Sequence, residues 1–128
     1  MITKAFIQKL LATPTVNSLV EDRVQPNIIK AGTHYPAVYV FTDRMTKLGC
    51  YGPGETRMGI VEIGVFAESY GQAYNLMKAI REALDDFSGI VNNVGITIMR
   101  GEEVADQFDE KSETHIKVIE YEAIAEPK

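Results

Sequence analysis

Two histidines, one cysteine, a cluster of glycines and a run of carboxylates are the residues whose types could support catalysis or ligand binding. His34 and His115 would suit a metal site or a nucleophilic triad, and both need partners at fixed spacing or converging from other strands. The sequence shows no such partners: His34 falls in a loop beside Tyr35, and His115 opens a strand as a solvated edge residue. Cys50 lies in Leu48-Gly49-Cys50-Tyr51-Gly52, exposed by composition, but a reactive thiol needs a lowered pKa and Lys47 alone is a thin source for one. Gly49-x-x-Gly52-x-Gly54 has the outline of a phosphate loop, yet it precedes a strand and lacks the Lys-Ser/Thr ending. A hairpin tip touching a neighbouring subunit uses the same glycines. Glu102, Glu103, Asp106, Asp109 and Glu110 lack the Asp-x-Asp-x-Asp-Gly order of a calcium loop and read as a solvated acidic loop. The expectation is a structural or binding module with no catalytic, cofactor or metal residues.

The elements that would carry these residues follow from periodicity. Phe6, Ile7, Leu10 and Leu11 make one apolar stripe on an N-terminal helix. Thr13 and Pro14 suit the N-cap and first position of a second, short helix carrying Val16, Leu19 and Val20 inward. Arg23 to Gln25 reads as a brief strand, and Arg23 calls for a carboxylate or carbonyl partner. Ala37 to Thr42 alternates, with Val38, Val40 and Thr42 on one face and Tyr39 and Phe41 on the other. Met58 to Ala67 alternates over ten positions through Val61, Ile63 and Val65. Ser69-x-x-Gln72 has capping-box spacing before a helix expected from about Tyr70 to Phe87, which Ser88-Gly89 stops. Strands follow at Val94 to Arg100, after an Asn92-Asn93 turn, and at His115 to Ala125. The fold class is α+β: a single domain over residues 1–128. Its antiparallel or mixed sheet has about four to five strands, an N-terminal helix and one long helix on one face, and long loops at about 43–56 and 101–114.

Composition narrows the partners. The 128 residues suffice for one core without staples. The lone cysteine excludes an intrachain disulfide and suits a reducing, cytosolic origin. A formal charge of −5 disfavours a nucleic-acid binder, which depends on Lys and Arg, and suits a surface past which DNA slides. Gln8 and Lys9 interrupt what would be the apolar core of a leader peptide, and no stretch approaches the ~18 apolar residues needed to span a bilayer.

Leu19-Val20-Glu21-Asp22-Arg23-Val24-Gln25-Pro26 resembles a leucine-valine, acid, arginine, hydrophobic, x, proline segment of the tail-completion or tail-terminator proteins of long-tailed bacteriophages. Tyr35-Pro36-Ala37-Val38-Tyr39 is similar to their tyrosine-proline and strand segment. Val61 to Leu84 resembles their strand, Glu-Ser-Tyr and long helix with a basic-acidic-Ala-Leu ending. The resemblance implies a non-enzymatic virion protein of the tail or neck, assembled in the bacterial host cytoplasm. It implies a homo-oligomer, usually a hexameric ring, that terminates the tail tube and joins it to the head connector. The partners it implies are the tail tube protein and the head-completion or connector protein, with DNA only passing through the lumen and no membrane. A ring needs two unlike patches per subunit. The opposite charge of the two expected loops points to Arg44, Lys47 and Arg57 facing Glu102, Glu103 or Asp106 of a neighbour. The second reading is a cytosolic ferredoxin-like module that binds a small ligand or regulates a partner.

Overall fold

A computed structural model describes residues 2–30, 32–47 and 56–127. In chain order the elements are α1 (Ile2–Ala12), α2 (Pro14–Val20), β1 (Val24–Pro26), β2 (Ala37–Lys47), β3 (Arg57–Ala67), α3 (Tyr70–Leu84), β4 (Ser88–Val91), β5 (Val94–Asp109) and β6 (Thr114–Pro127). The strands form one sheet in the order β1-β2-β3-β6-β5-β4. β1 runs parallel to β2 and every other neighbour is antiparallel. The helices cover one face. Phe6 and Leu10 of α1, Val16 and Val20 of α2, and Leu76, Ile80 and Leu84 of α3 meet Val38, Val40, Val61, Ile63, Val65, Ile119 and Tyr121 in one core. Among the described residues no helix is long and apolar enough to cross a membrane.

The N-terminal elements join at Arg23. Its Nε donates to the Pro36 carbonyl at 3.0 Å and its Nη2 to the Leu19 carbonyl at 3.4 Å, with Glu21 at 3.5 Å. One guanidinium thus links the end of α2 to the entry of β2, where the Tyr35–Pro36 peptide is cis. Thr13 occupies the N-cap position of α2, but its hydroxyl donates back to the Lys9 carbonyl instead of accepting from the helix. Ser69 caps α3, accepting from the Gln72 backbone N–H at 3.1 Å, and the Gln72 side chain accepts from the Glu68 N–H at 2.8 Å.

The fold departs from expectation in four places. It has six strands, because Ser88–Val91, expected only as a helix stop, pairs with Val94–Thr97 across Asn92 and Asn93. Both asparagines have positive φ, which a two-residue hairpin turn demands. The long helix ends at Leu84 and not at Phe87, since Asp86 takes φ 59° and Phe87 turns into the sheet, accepting from Ile98 N–H. The loop expected at 101–114 is for the most part strand: β5 runs on to Asp109, paired with β6 down to Thr114, and only 110–113 turn. Bulges at Ile98/Arg100 and Glu103/Ala105 break its alternation, so an extended arm reads as a polar loop. The other expected loop, 43–56, is strand as far as Lys47, and its glycine-rich part with Cys50 lies outside the described residues.

On the face without helices, Tyr39 lies flat over Gly64, where an added Cβ would fall inside the tyrosine ring. We expect Gly64→Ala to lower stability by roughly 1–3 kcal/mol through overpacking. Thermal melts of Gly64→Ala, Tyr39→Ala and the double variant should show strong non-additivity, the second substitution relieving much of the first.

Candidate assembly surfaces

The arm formed by the distal half of β5 and the start of β6 is held to α3 by two charged clusters. Lys117 of β6 is 6% exposed, its ammonium 3.0 Å from Asp106 of β5 and 4.7 Å from the centre of the Tyr70 ring. Burial alone would lower its pKa, but Asp106 and Tyr70 together raise it, so the ammonium stays charged. About three turns farther along α3, Arg81 contacts Asp85 at 3.2 Å and Glu103 of the arm at 2.9 Å. Asp85 also accepts from the buried Tyr121 hydroxyl at 2.8 Å. Asp85 raises the Arg81 pKa despite the opposing effect of burial. A groove of about 320 Å³ lies between, lined by Tyr74, Met77, Arg81, Asp85, Glu103 and Lys117. Lys78 and Glu82 also line it; Arg81 pairs with Asp85 and Glu103, and Lys117 with Asp106, an arrangement that fixes the arm. Tyr70, Tyr74, Val104 and Phe108, in and beside these clusters, are about half exposed.

The opposite face of the sheet has a second groove, of about 410 Å³, bordered by Ile28, Ile29, Tyr39, Phe41, Glu62 and Phe66. Tyr35 and Tyr39 both meet Phe66 edge-on with centroids 6.1 Å apart. The Tyr39 hydroxyl donates to Glu62 at 2.6 Å. Farther across this face Glu62, Glu120 and Glu102 stand opposite one another on β3, β6 and β5, a row of like charges that opposes pairing.

The residues singled out in the sequence scatter over this frame. His115 packs between Phe108, at 4.8 Å, and Tyr70, at 6.1 Å, on the helix side of the arm. His34 is exposed in the β1–β2 connection. Among the described residues no cluster of His, Cys, Asp and Glu fits a metal ion. Glu103 and Asp106 have partners within the chain, in Arg81 and Lys117. Glu102 is exposed. Arg44, on the bulge of β2 with φ 52°, has its side chain 3.9 Å from Asp43 and largely in water. Lys47 and Arg57 are opposite each other at one end of the strands, while Asp106 is level with Val65. That is eight residues farther along β3, or about 27 Å at ~3.4 Å per residue. Arg44, beside the Asp43–Ile60 pair, is within roughly 10 Å of the level of Glu102, which aligns with Glu62. The aromatic patches were missed because an exposed Phe or Tyr in a strand is indistinguishable by type from a buried one.

Residues 4–126 match the protein family described as "Tail completion protein gp17". No curated protein matches the sequence. In fold, the chain is similar to a protein solved in the "Virion of native gene transfer agent (GTA) particle", with TM-score 0.68 at 18% identity, covering 98% of this chain and 94% of that one. A second solved chain is similar at TM-score 0.61 and 12% identity, covering 99% of this chain and 94% of the other.

Two tyrosines give the fold a signature in alkali. Burial and then Glu62 push the Tyr39 hydroxyl well above the ordinary tyrosine range, and burial and then Asp85 do the same to Tyr121. The unfolded chain loses these protons near pH ~10 while the folded chain keeps them. The unfolded state therefore binds fewer protons above that pH, and stability must fall as pH rises. We expect urea midpoints to be level below pH ~10 and to decline above it, with a shallower decline in Tyr121→Phe.

Proposed function

Because the chain belongs to the tail completion protein gp17 family, we propose that it closes into a ring of six copies at the head-proximal end of a tail tube, where it ends the tube and receives the head connector. It is a phage structural tail protein, a component of the virion's tail or neck. In this reading it acts by assembly and not by catalysis, after synthesis in the bacterial host cytoplasm. The tube protein and the head-completion or connector protein are its partners, and DNA only crosses the ring lumen. That the similar gene transfer agent chain comes from a virion particle agrees with this.

The observation that carries the ring is the pair of unlike apolar surfaces, one on the helix side at the β5 edge and one on the opposite face at the β1–β2 edge. Head-to-tail rings need two different, mutually complementary patches on each subunit. Of the charged residues considered, Arg44 and Glu102 are the pair whose levels along the strands suit a contact across a closed ring. Lys47 and Arg57 sit at the far end from Asp106, where they suit a contact along the tail axis.

Analytical ultracentrifugation over a wide concentration range, with and without magnesium, should show a species of six 14.2 kDa chains. A monomer throughout, also in the presence of assembling tube protein, would sink the ring. Within a ring, Arg44→Glu should weaken association by roughly two- to five-fold at low salt, the ordinary worth of an exposed ion pair. Adding Glu102→Arg should restore it.

A further inference from the structure

Given the ring reading, we infer how neighbouring subunits overlap: the β5–β6 arm of one copy lies beneath the β1–β2 edge of the next, with Phe108 and Val104 seated against the groove of Ile28, Phe41 and Phe66. Among the described residues eight large hydrophobic side chains remain exposed, and six of them fall in these two places: Tyr70, Tyr74, Val104 and Phe108 beside the arm, Ile28 and Phe41 at the groove. Such concentration is what distinguishes a contact surface from scattered surface apolar residues. Phe108 is 51% exposed although it packs against His115 of its own chain, and Ile28 is 68% exposed, so both present apolar surface to a neighbour.

Three features make a second copy of this chain the occupant. The patches lie on opposite edges of the sheet, since β5 and β2 are its long outer strands. They face opposite ways. Phe108 is aligned with His115 and, with Tyr70, faces the helix side, whereas Tyr39, Phe41 and Phe66 face away from it. An upper surface at one edge and a lower surface at the other can therefore overlap from copy to copy as roof shingles do. Third, the patches share a height along the strands. Phe66 is opposite Ile116, which is opposite Gln107, the neighbour of Phe108. A rotation about an axis along the strands brings one patch to the other with little axial shift, the condition for a closed ring and not an open helix. Charge agrees. The arm and its turn hold Glu102, Glu103, Asp106, Asp109, Glu110 and Glu113 against Lys111, while the segment bordering the groove, Asn27 to His34, holds Lys30 and no acid, and Glu62 of the groove accepts from the Tyr39 hydroxyl of its own chain.

The test uses the whole chain with Cys50→Ser, carrying Phe108→Cys or Ile28→Cys. Mild oxidation of a mixture of the two should give crossed disulfide dimers that neither gives alone, and a chain bearing both cysteines should give a ladder ending at the ring. Separately, Phe108→Ala and Ile28→Asp should each weaken association by roughly 30-fold or more, as loss of an anchor in a packed interface does. Their circular dichroism and monomer melting should stay those of the parent. Rings as tight as the parent's with no crossed disulfide would overturn this overlap and leave the ring standing, the patches then facing another virion protein. A parent chain that never self-associates would overturn both.

Discussion

The antiparallel ladder between β3 and β6 is the constraint on which the molecule depends. Eleven successive pairs, from Arg57 opposite Ala125 to Ala67 opposite His115, place β6 between β3 and β5 at the centre of the sheet. Because successive side chains point to opposite faces, this register puts Val61, Ile63 and Val65 beside Tyr121, Ile119 and Lys117 under the helices. It leaves Ile60, Glu62 and Phe66 beside Glu122, Glu120 and Ile116 on the other face. A slip of one residue would exchange the two sets and bury carboxylates. The two-sided character of the sheet, on which any overlap of neighbours rests, is therefore set by the core.

The arm solves a different problem. Beyond the four pairs with β4, the outer edge of β5 has no strand beside it among the described residues, and an open edge invites uncontrolled pairing. Two bulges and a dense row of acids guard it. Those same acids would repel the arm from anything negative, so its attachment to α3 uses cations: Arg81 of the helix reaches Glu103, and Lys117, paired with Asp106 inside the arm, lies over the Tyr70 ring. Burying Lys117 is costly without a partner, and the Tyr70 ring and Asp106 share in offsetting it. Asp85 and Tyr121 then connect this charged network to the core. The arm is thereby held as a rigid extension, which suits a surface that must be presented and not searched for.

Much of this frame was legible in the sequence where period and burial coincide. The stripe of Phe6 and Leu10, the alternation from Val61 to Ala67, the cap at Ser69 with Gln72 and the need of Arg23 for carbonyl partners all emerge as expected. Legibility failed where tertiary pairing supplies what local pattern does not. Residues 101–109 are polar and twice bulged, so their extended form comes from β6 and not from their own alternation. Ser88–Val91 is short, and only the positive φ of Asn92 and Asn93 lets it fold back. The charged residues expected to reach a neighbour were chosen by sign alone. Sign could not reveal that Glu103 and Asp106 are spoken for by Arg81 and Lys117, or that Lys47 lies at the other end of the strands.

The acid-rich arm has a consequence for the molecule as a whole. Residues 101–114 carry six acids and one lysine, an excess equal to the formal charge of −5 of the entire chain, so the remainder is neutral in sum. The subunit is an electric dipole, negative toward the end of the strands where β5 turns into β6. Copies related by rotation about an axis along the strands would add these dipoles in that direction and cancel them across it. The resulting assembly would have two electrically unlike mouths. Two assemblies meeting at their negative mouths would repel one another, and a strongly basic surface would be drawn to that mouth alone, giving the particle a sense of up and down before any specific contact forms.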